Sequence, residues 1–420
     1  MIFFRNGVTP FAVSIAIVGA ASVFLAADYL WPGKLITNDP IRAETAKQNG
    51  KSMAERIREA NERSSNVKGV YMTSIVASDN GRAATKLRGD IVSLLDETEL
   101  NGVVIDVKET EGGFVLTDQL HEFIRLLHEK NVWVIARIAV FKDSSQEKIH
   151  PEWYLSKKDG KIWRDYRGGS WLDPADPNVW EYQVGLSKQA SDAGFDEIQF
   201  DYVRFPSDGD IKNALYPVYD GKRAKYEVLR EFFSYANQNL KRYRPELILS
   251  ADLFGYVAIQ QADLGIGQRL EDIGKNFDYI SLMVYPSHYY SGFEVPKDPS
   301  RNLAALFYPY RSTNAASIAV NQPFDIVYRS LLLAEDTLSG RATSTFHTAT
   351  STPASAPNLA HARLRPWLQD FDLGVDSSRG IYYDAAKVRA QIDGAEKAGA
   401  SGWLLWNPNN VYTKAALKPE

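Results

Sequence analysis

An alternation of apolar strand-like runs with amphipathic helical patterns extends from Lys68 nearly to the end of the 420-residue chain. Strand-like runs lie at 68–74, 102–109, 132–140, 194–206, 247–254, 279–285, 364–371 and 401–406, and helical patterns at 83–99, 117–130, 177–193, 223–243, 324–338 and 384–398. The first turn lacks the glycine-rich fingerprint of a dinucleotide-binding sheet. Eight strands that alternate with helices therefore predict an α/β fold, a closed (β/α)8 TIM barrel rather than an open doubly wound sheet.

The residues before the first strand predict a transmembrane or signal helix and a polar spacer. Residues 8–27 carry no charge and are long enough to span a bilayer. We assign 1–30 to this membrane anchor or signal segment, 31–66 to the spacer, 67–410 to the barrel with a low-complexity insertion at 339–358, and 411–420 to a C-terminal tail. The insertion joins a helix to a strand, so we expect it on the N-terminal face, away from an active site.

The same N-terminal segment predicts where the protein is located. No Ala-x-Ala cleavage site follows the apolar run, which favours a single-pass protein of the cell membrane with an extracytoplasmic barrel. Cleavage would instead make the protein a secreted one.

Composition excludes several classes of function. A net charge of −4 and a pI near 6.0 oppose nucleic-acid binding, and the absence of cysteine excludes disulfides and thiolate chemistry. The six histidines are scattered singly, and neither a Gly-x-Ser-x-Gly elbow nor a phosphate-binding loop is present. The sequence predicts no metal, no cofactor and no nucleic-acid partner, and it does not indicate an oligomeric state.

The run at 194–206 carries many charges for a buried strand. With a side-chain period of two, Glu197, Gln199 and Asp201 share one face, opposite Ile198 and Phe200. Because reactive groups of (β/α) barrels lie at the C-terminal ends of strands, we expect further polar groups there. The candidates for substrate binding at or beyond these strand ends are Asp106, Lys108, Glu109, Arg137, Gln199, Arg204, Tyr285, His288, Gln369 and Asn407.

Carboxylates on neighbouring strands predict glycoside hydrolysis, in which one acid protonates the leaving oxygen and another attacks or activates water. Asp201 and Asp252 are the candidate catalytic pair. Asp201 would stay ionised beside Arg204 and act as the nucleophile, whereas Asp252 would need a raised pKa to act as the acid. Asp106 or Glu109 could take the acid role instead.

Glu197 lies deeper in the same strand, away from the mouth of the barrel. We expect it to be structural, in a buried ion-pair network with Arg137 and Lys108.

The loop after the third strand is rich in aromatic residues. It carries Trp153, Tyr154, Trp163, Tyr166 and Trp171 among charged residues and glycines. Flat rings with flanking hydrogen-bonding groups suit the faces and hydroxyl rims of sugars. We expect Trp163 and Trp171 to bind substrate, and at least two of the five rings to anchor the loop by packing.

Several motifs resemble those of a known family. They are Lys68-Gly-Val-Tyr71, the runs 100–108 and 136–143, Trp171-Leu-Asp-Pro174, and above all the run 194–206. Over residues 67–410 the chain resembles the bacterial TIM-barrel family of putative glycosyl hydrolase domains. The resemblance implies a barrel related to α-glycosidase-like enzymes, whose nucleophile is an Asp that ends strand four. Asp201 occupies that place, whereas Asp252 stands where many such enzymes have a Glu.

These observations predict a glycoside hydrolase that acts on an envelope or extracellular polysaccharide by a two-carboxylate mechanism. The alternative is a non-catalytic glycan-binding barrel at the cell surface. A third hypothesis is an envelope assembly scaffold with a relic active site. A glycan that is bound but not hydrolysed would support the second hypothesis. A protein that neither binds nor hydrolyses glycans would support the third.

Overall fold

Parallel strands close into a barrel at the centre of the computed structural model, which describes residues 50–341 and 361–420. The strands are β1 (Val67–Met72), β2 (Gly102–Lys108), β3 (Trp133–Ala139), β4 (Glu197–Asp201), β5 (Ile248–Phe254), β6 (Tyr279–Met283), β7 (Phe293–Val295), β8 (Leu306–Tyr308), β9 (Arg363–Leu364), β10 (Trp367–Gln369) and β11 (Gly402–Trp406). Strands β9 and β10 share one barrel position, since both pair with β6. Because β10 pairs with β11 and β11 with β1, the barrel closes, which confirms the predicted (β/α)8 fold.

Helices cover the outside of this barrel. They are α1 (Met53–Arg63), α2 (Ser74–Ser78), α3 (Arg82–Glu97), α4 (Asp118–Glu129), α5 (Pro177–Asp192), α6 (Lys225–Tyr243), α7 (Gly255–Gln260), α8 (Leu270–Gly274), α9 (Pro323–Leu338), α10 (Gly374–Ser377) and α11 (Ala385–Lys397). Outward strand residues such as Val103 and Ile105 belong to one core cluster with Phe123 of α4. Inward residues such as Val104 and Ile135 belong to a second cluster inside the barrel. The period-two alternation thus separates the two cores.

Capping residues begin several of these helices where the sequence indicates. The Thr117 hydroxyl accepts a hydrogen bond from the N–H of Leu120 at the start of α4, and the Asp384 carboxylate accepts one from the N–H of Lys387 at the start of α11. Helix α5 begins with Pro177 after the capping residue Asp176. These side chains satisfy N–H groups that have no partner within the helix.

Helix α1 closes the N-terminal end of the barrel. Its residue Ala60 packs against the inner cluster, and the carbonyl of Ser64, just beyond the helix, accepts a hydrogen bond from the Tyr279 hydroxyl at 2.7 Å. Of the described residues, 52–341 and 361–420 form one compact unit, which includes helix α1. The C-terminal tail also packs on the barrel, because Leu417 is buried and the Lys418 carbonyl accepts a hydrogen bond from Glu99 N.

Two long connections lie at the C-terminal ends of the strands, one after β3 and one after β6. The second contains the antiparallel hairpin of β7 and β8, which the sequence did not indicate. No helix in the described ranges is long and apolar enough to cross a membrane. The predicted segment at 8–27 and most of the insertion at 339–358 lie outside the described residues.

Candidate active site

Strand β4 ends abruptly at Asp201, which fixes the direction of its carboxylate. The predicted strand at 194–206 is shorter in the structure because Gly194 and Tyr202 have positive φ angles of 105° and 50°. A non-glycine residue in this region carries roughly 1–3 kcal/mol of strain. The N–H of Tyr202 donates to Oδ1 of Asp201 at 2.6 Å. The turn therefore presents Asp201 at the mouth of the barrel.

Arg137 of β3 joins carboxylates from three other strands at this mouth. Its Nη1 donates to Asp106 at 2.6 Å, its Nη2 donates to Asp201, and its Nε lies 3.4 Å from Oδ2 of Asp252. We call these four residues the mouth cluster. The structure thus brings together both predicted catalytic residues and two of the predicted substrate-binding residues.

Two aromatic side chains that the sequence did not single out support this cluster. The Tyr71 hydroxyl donates to Oδ2 of Asp106 at 2.5 Å, and the indole Nε1 of Trp367 donates to Oδ1 of Asp252 at 2.8 Å. Both rings belong to the inner core. Tyr71 is the last residue of the motif at 68–71, on which the family resemblance partly depends. The sequence therefore did offer a signal for this residue.

Burial and charge distinguish the three carboxyls. Burial, and after it the negative charge of Asp201, raises the pKa of Asp252 well above its ordinary value. Burial also raises the pKa of Asp106, although the charge of Arg137 and the hydrogen bond from Tyr71 oppose this. The Asp201 side chain is 8% exposed and that of Asp252 is 1% exposed. Asp201 is therefore the more open group and Asp252 the one that favours the protonated form.

Arg204 is not the cation that contacts Asp201. Its Nη1 donates to the Phe205 carbonyl at 3.0 Å and to the Ser207 hydroxyl at 3.2 Å, and its guanidinium lies over the ring of Trp171 at 4.7 Å. Burial lowers the pKa of Arg204. The hydrogen bond to Asp201 comes from Arg137 instead, and the charge of Asp201 acts on Arg204 only by partly opposing the fall in its pKa.

A bulge in β2 turns Lys108 away from the mouth cluster. The pairing of β2 with β3 shifts register between Asp106 and Lys108. Lys108 is fully buried and donates to Asp143 at 2.8 Å and to the Glu109 carbonyl. The Glu109 carboxylate accepts a hydrogen bond from Ser74 at 2.7 Å. Lys108 thus fastens the loop after β3, which corrects its predicted place among the substrate-binding groups.

Glu197 forms a separate ion pair near the N-terminal end of the barrel. Its carboxylate accepts hydrogen bonds from Arg365 at 2.8 and 2.9 Å, from the Trp133 indole at 2.9 Å and from the Ser250 hydroxyl at 2.5 Å. We call Glu197 and Arg365 the floor pair. The predicted partners of Glu197 were Arg137 and Lys108, and this was wrong because neither contacts it.

Gln199 lies between the floor pair and the mouth cluster on the inner face of β4. It is fully buried, and its Nε2 donates to the Ser281 hydroxyl at 3.1 Å. The structure places Gln199 below the mouth rather than at it.

Trp163 and Trp171 of the loop after β3 pack within that loop and against the loop after β4. Trp163 and Trp171 are buried, and their indole nitrogens donate to the Asp210 carbonyl and the Asp165 carboxylate. Tyr154 is also buried. The prediction that Trp163 and Trp171 bind sugar is therefore corrected: their rings are enclosed, and Arg204 covers a face of Trp171.

An aromatic wall stands beside the mouth cluster, built from the loops after β6 and β10 and from the last residue of β11. Tyr285 stacks on Trp406 with ring centres 5.8 Å apart, and Phe371 meets the edges of both rings at 5.6 and 5.0 Å. His288 lies 5.3 Å from Tyr285. Tyr285 and His288 were predicted in the site, whereas Trp406 and Phe371 were not. We call these four residues the aromatic wall.

Two further predicted residues hold the wall in place rather than line it. The Gln369 side chain accepts a hydrogen bond from Ser287 N at 3.2 Å and donates to the Phe371 carbonyl at 2.9 Å. The Asn407 side chain donates to the Asp370 carbonyl. Both contacts join the loops that carry the wall.

The fold and this mouth define a (β/α)8 barrel with an acidic, aromatic-lined site, an arrangement suited to carbohydrate chemistry. Residues 69–412 match the family model described as "Putative glycosyl hydrolase domain", and the chain belongs to that family. The membership confirms the predicted resemblance and supports the prediction of a glycoside hydrolase.

One solved structure shares the fold, and others are less similar. The β-galactosidase of Marinomonas ef1 matches with a TM-score of 0.52 at 11% identity, over 83% of this chain and 58% of that one. The α-galactosidase of Thermus thermophilus matches with a TM-score of 0.44 at 13% identity, over 82% of this chain and 60% of that one.

A hypothetical protein from Ruminiclostridium thermocellum is 30% identical over 44% of this chain and 96% of its own, with a TM-score of 0.37. No curated protein matches the chain significantly.

Proposed function

We propose that the protein hydrolyses glycosidic bonds of an envelope or extracellular polysaccharide, with Asp201 as nucleophile and Asp252 as general acid. The observation that carries this proposal is the single guanidinium of Arg137, which contacts both carboxyls at the mouth. The Asp201 side chain is the more exposed of the two, and Asp252 has a raised pKa. Glycoside hydrolysis needs such a division between a nucleophile and an acid.

Asp201 has the surroundings of a carboxylate nucleophile. It accepts hydrogen bonds from Arg137 and from the N–H of Tyr202, and these two contacts fix the direction of its carboxylate. In the first step an Asp201 oxygen attacks the anomeric carbon while Asp252 gives its proton to the departing glycosidic oxygen. The carbon–oxygen bond to the leaving group breaks, and a glycosyl ester of Asp201 forms.

In the second step Asp252, now a carboxylate, takes a proton from water. The water oxygen attacks the anomeric carbon and releases Asp201, so that both groups return to their starting forms. Carboxyls that share one guanidinium favour the separation of about 5 to 5.5 Å found in retaining enzymes over the roughly 6.5 to 9.5 Å of inverting ones. We therefore propose retention of configuration.

Removal of the nucleophile tests this assignment. Asp201→Gly should abolish hydrolysis of a panel of nitrophenyl glycosides, and added azide should restore turnover by occupying the space of the carboxylate. The product should be a glycosyl azide of the opposite anomeric configuration to the substrate, identified by NMR. Full hydrolytic activity of Asp201→Gly without azide would contradict the role of Asp201.

A non-catalytic glycan-binding barrel is the second candidate, and the aromatic wall favours it, because stacked rings beside a cleft can bind sugar without chemistry. Calorimetry and reducing-end analysis on the same glycan distinguish the two functions. A binder gives heat without new reducing ends.

The extracytoplasmic location is proposed from the sequence of residues 8–27 alone. Membrane fractionation with and without alkaline extraction tests it. The full chain should stay in the membrane fraction if the segment is an uncleaved anchor, and it should be recovered from the medium if the segment is cleaved.

A further inference from the structure

Two more tyrosines continue the aromatic wall outward from the mouth. The ring of Tyr290 lies 5.6 Å from that of His288, and the ring of Tyr310 lies 5.3 Å from that of Tyr290. We call Tyr290 and Tyr310 the outer track. The rings of the wall and the outer track form a continuous series that leads from the mouth cluster to the rim.

Tyr290 of the outer track is exposed and yet firmly held, and Tyr310 is half-buried. Tyr290 is 52% exposed. The residue before it, Tyr289, is buried, and its hydroxyl lies 3.1 Å from that of Ser330 in α9. The N–H of the following residue, Ser291, donates to the Tyr256 hydroxyl at 2.8 Å. The loop is thus anchored on both sides of a ring that contributes little to the core.

The inner end of the series is equally well fixed. His288 is held by a 2.9 Å contact between its Nδ1 and the Ser287 hydroxyl and by the ring of Phe371 at 5.8 Å. A rigid ring has little conformational freedom to lose when a ligand covers it, and a partly exposed ring offers apolar area to that ligand. Both properties suit a surface on which sugar rings stack.

The geometry points to an extended glycan-binding cleft, in which a chain of several sugars runs from the mouth cluster past Trp406 and His288, the less buried rings of the aromatic wall, to the outer track. The substrate class is therefore an oligosaccharide or polysaccharide, of which a short nitrophenyl glycoside fills only the sugar position at the mouth cluster. This inference rests on the proposed function, because the mouth cluster defines one end of the cleft.

Binding in a full-length Asp201→Asn background tests the cleft without turnover. The probes are three pairs of trisaccharide and hexasaccharide: cellotriose and cellohexaose, chitotriose and chitohexaose, and maltotriose and maltohexaose. For the pair that binds, Tyr290→Ala and Tyr310→Ala should lower the ratio of hexasaccharide to trisaccharide affinity by about 3- to 10-fold, measured by calorimetry. Tyr290→Phe should keep the ratio, since stacking needs the ring and not the hydroxyl.

Tyr382→Ala is the matched control. Tyr382 is 56% exposed, and its ring contacts no other ring within residues 50–341 and 361–420. An unchanged ratio in Tyr290→Ala, an equal fall in Tyr382→Ala, or no binding of any hexasaccharide would overturn the cleft. Hydrolysis of nitrophenyl glycosides by the wild-type protein reports the proposed function separately, so either inference can fail while the other stands.

Discussion

The floor and the mouth of the barrel both contain buried ionic groups, but their balance of charge differs. At the floor one carboxylate faces one guanidinium, and both side chains of the floor pair are fully buried. At the mouth three carboxyls share Arg137, which is 16% exposed. Because one cation cannot neutralise three buried anions, protonation of a mouth carboxyl lowers the electrostatic cost. The comparison teaches that one guanidinium matches one carboxylate at the floor, whereas the excess of carboxyls at the mouth favours a protonated form.

The largest expected effect separates two acids of the same strand. Asp201→Asn should lower kcat by more than the roughly 10²- to 10⁴-fold typical of losing acid–base assistance, since no covalent intermediate can form. Glu197→Gln should leave kcat per folded molecule within a few-fold of wild type. Steady-state kinetics on nitrophenyl glycosides measure this, with the folded fraction of each variant determined by circular dichroism. An equal loss of activity in the two variants would contradict the difference between floor and mouth.

The second effect concerns the proton donor. Asp252→Asn should slow hydrolysis by roughly 10²- to 10⁴-fold for a substrate with a poor leaving group. In kcat/KM, which reports the first step, a dinitrophenyl glycoside should be affected much less, because that leaving group departs without a proton. Asp106→Asn is the matched control, and a stronger leaving-group dependence in that variant would assign the acid role to Asp106.

The third effect tests the floor. Glu197→Gln or Arg365→Met alone should lower the free energy of unfolding by about 3–5 kcal/mol, since each leaves a buried charge or its hydrogen-bonding groups without the partner. The double variant Glu197→Leu with Arg365→Met should recover most of this loss. Urea denaturation measures the free energy of unfolding of all three variants. If the loss in the double variant equals the sum of the two single losses, the two residues do not act as a pair.

The smallest effect concerns His288 of the aromatic wall, whose burial makes the folded protein less stable in acid. Burial, with a smaller contribution from the charge of Arg167, lowers the pKa of His288 from 6.5 to about 4. As the pH falls from 6.5 to 4, the unfolded chain binds a proton before the folded protein does, so stability falls. His288→Gln should remove up to about 3 kcal/mol of this acid-induced loss. Parallel pH dependences of unfolding in wild type and variant would contradict the burial of a neutral imidazole.

Much of the barrel was predictable because side chains alternate between the two faces of a strand, and this alternation depends only on neighbouring residues. The period of two on β4 and β5 turned Asp201 and Asp252 inward, and the parallel order of the strands brought them to one mouth. The structure departs from the pattern where the backbone is irregular. The bulge in β2 redirects Lys108, and Pro366 divides the seventh barrel position into β9 and β10, which hid Arg365 as the partner of Glu197.

The aromatic wall could not be found from spacing along the chain. Tyr285 and Phe371 follow two different strands, Trp406 ends a third, and the three rings meet only when the barrel closes. Conversely, Trp163 and Trp171 lie in a loop whose composition suits sugar binding, but its own packing encloses them. Aromatic content predicts a sugar site only where closure of the fold leaves ring faces open.

The central claim is that burial raises the pKa of Asp252 far enough for this carboxyl to carry a proton in the free protein. Infrared difference spectroscopy of the free protein tests it by the carbonyl stretch of a protonated carboxyl. The account predicts that this band at neutral pH is lost in Asp252→Asn and retained in Asp106→Asn. A band that persists in Asp252→Asn and disappears in Asp106→Asn would contradict it and place the proton on Asp106.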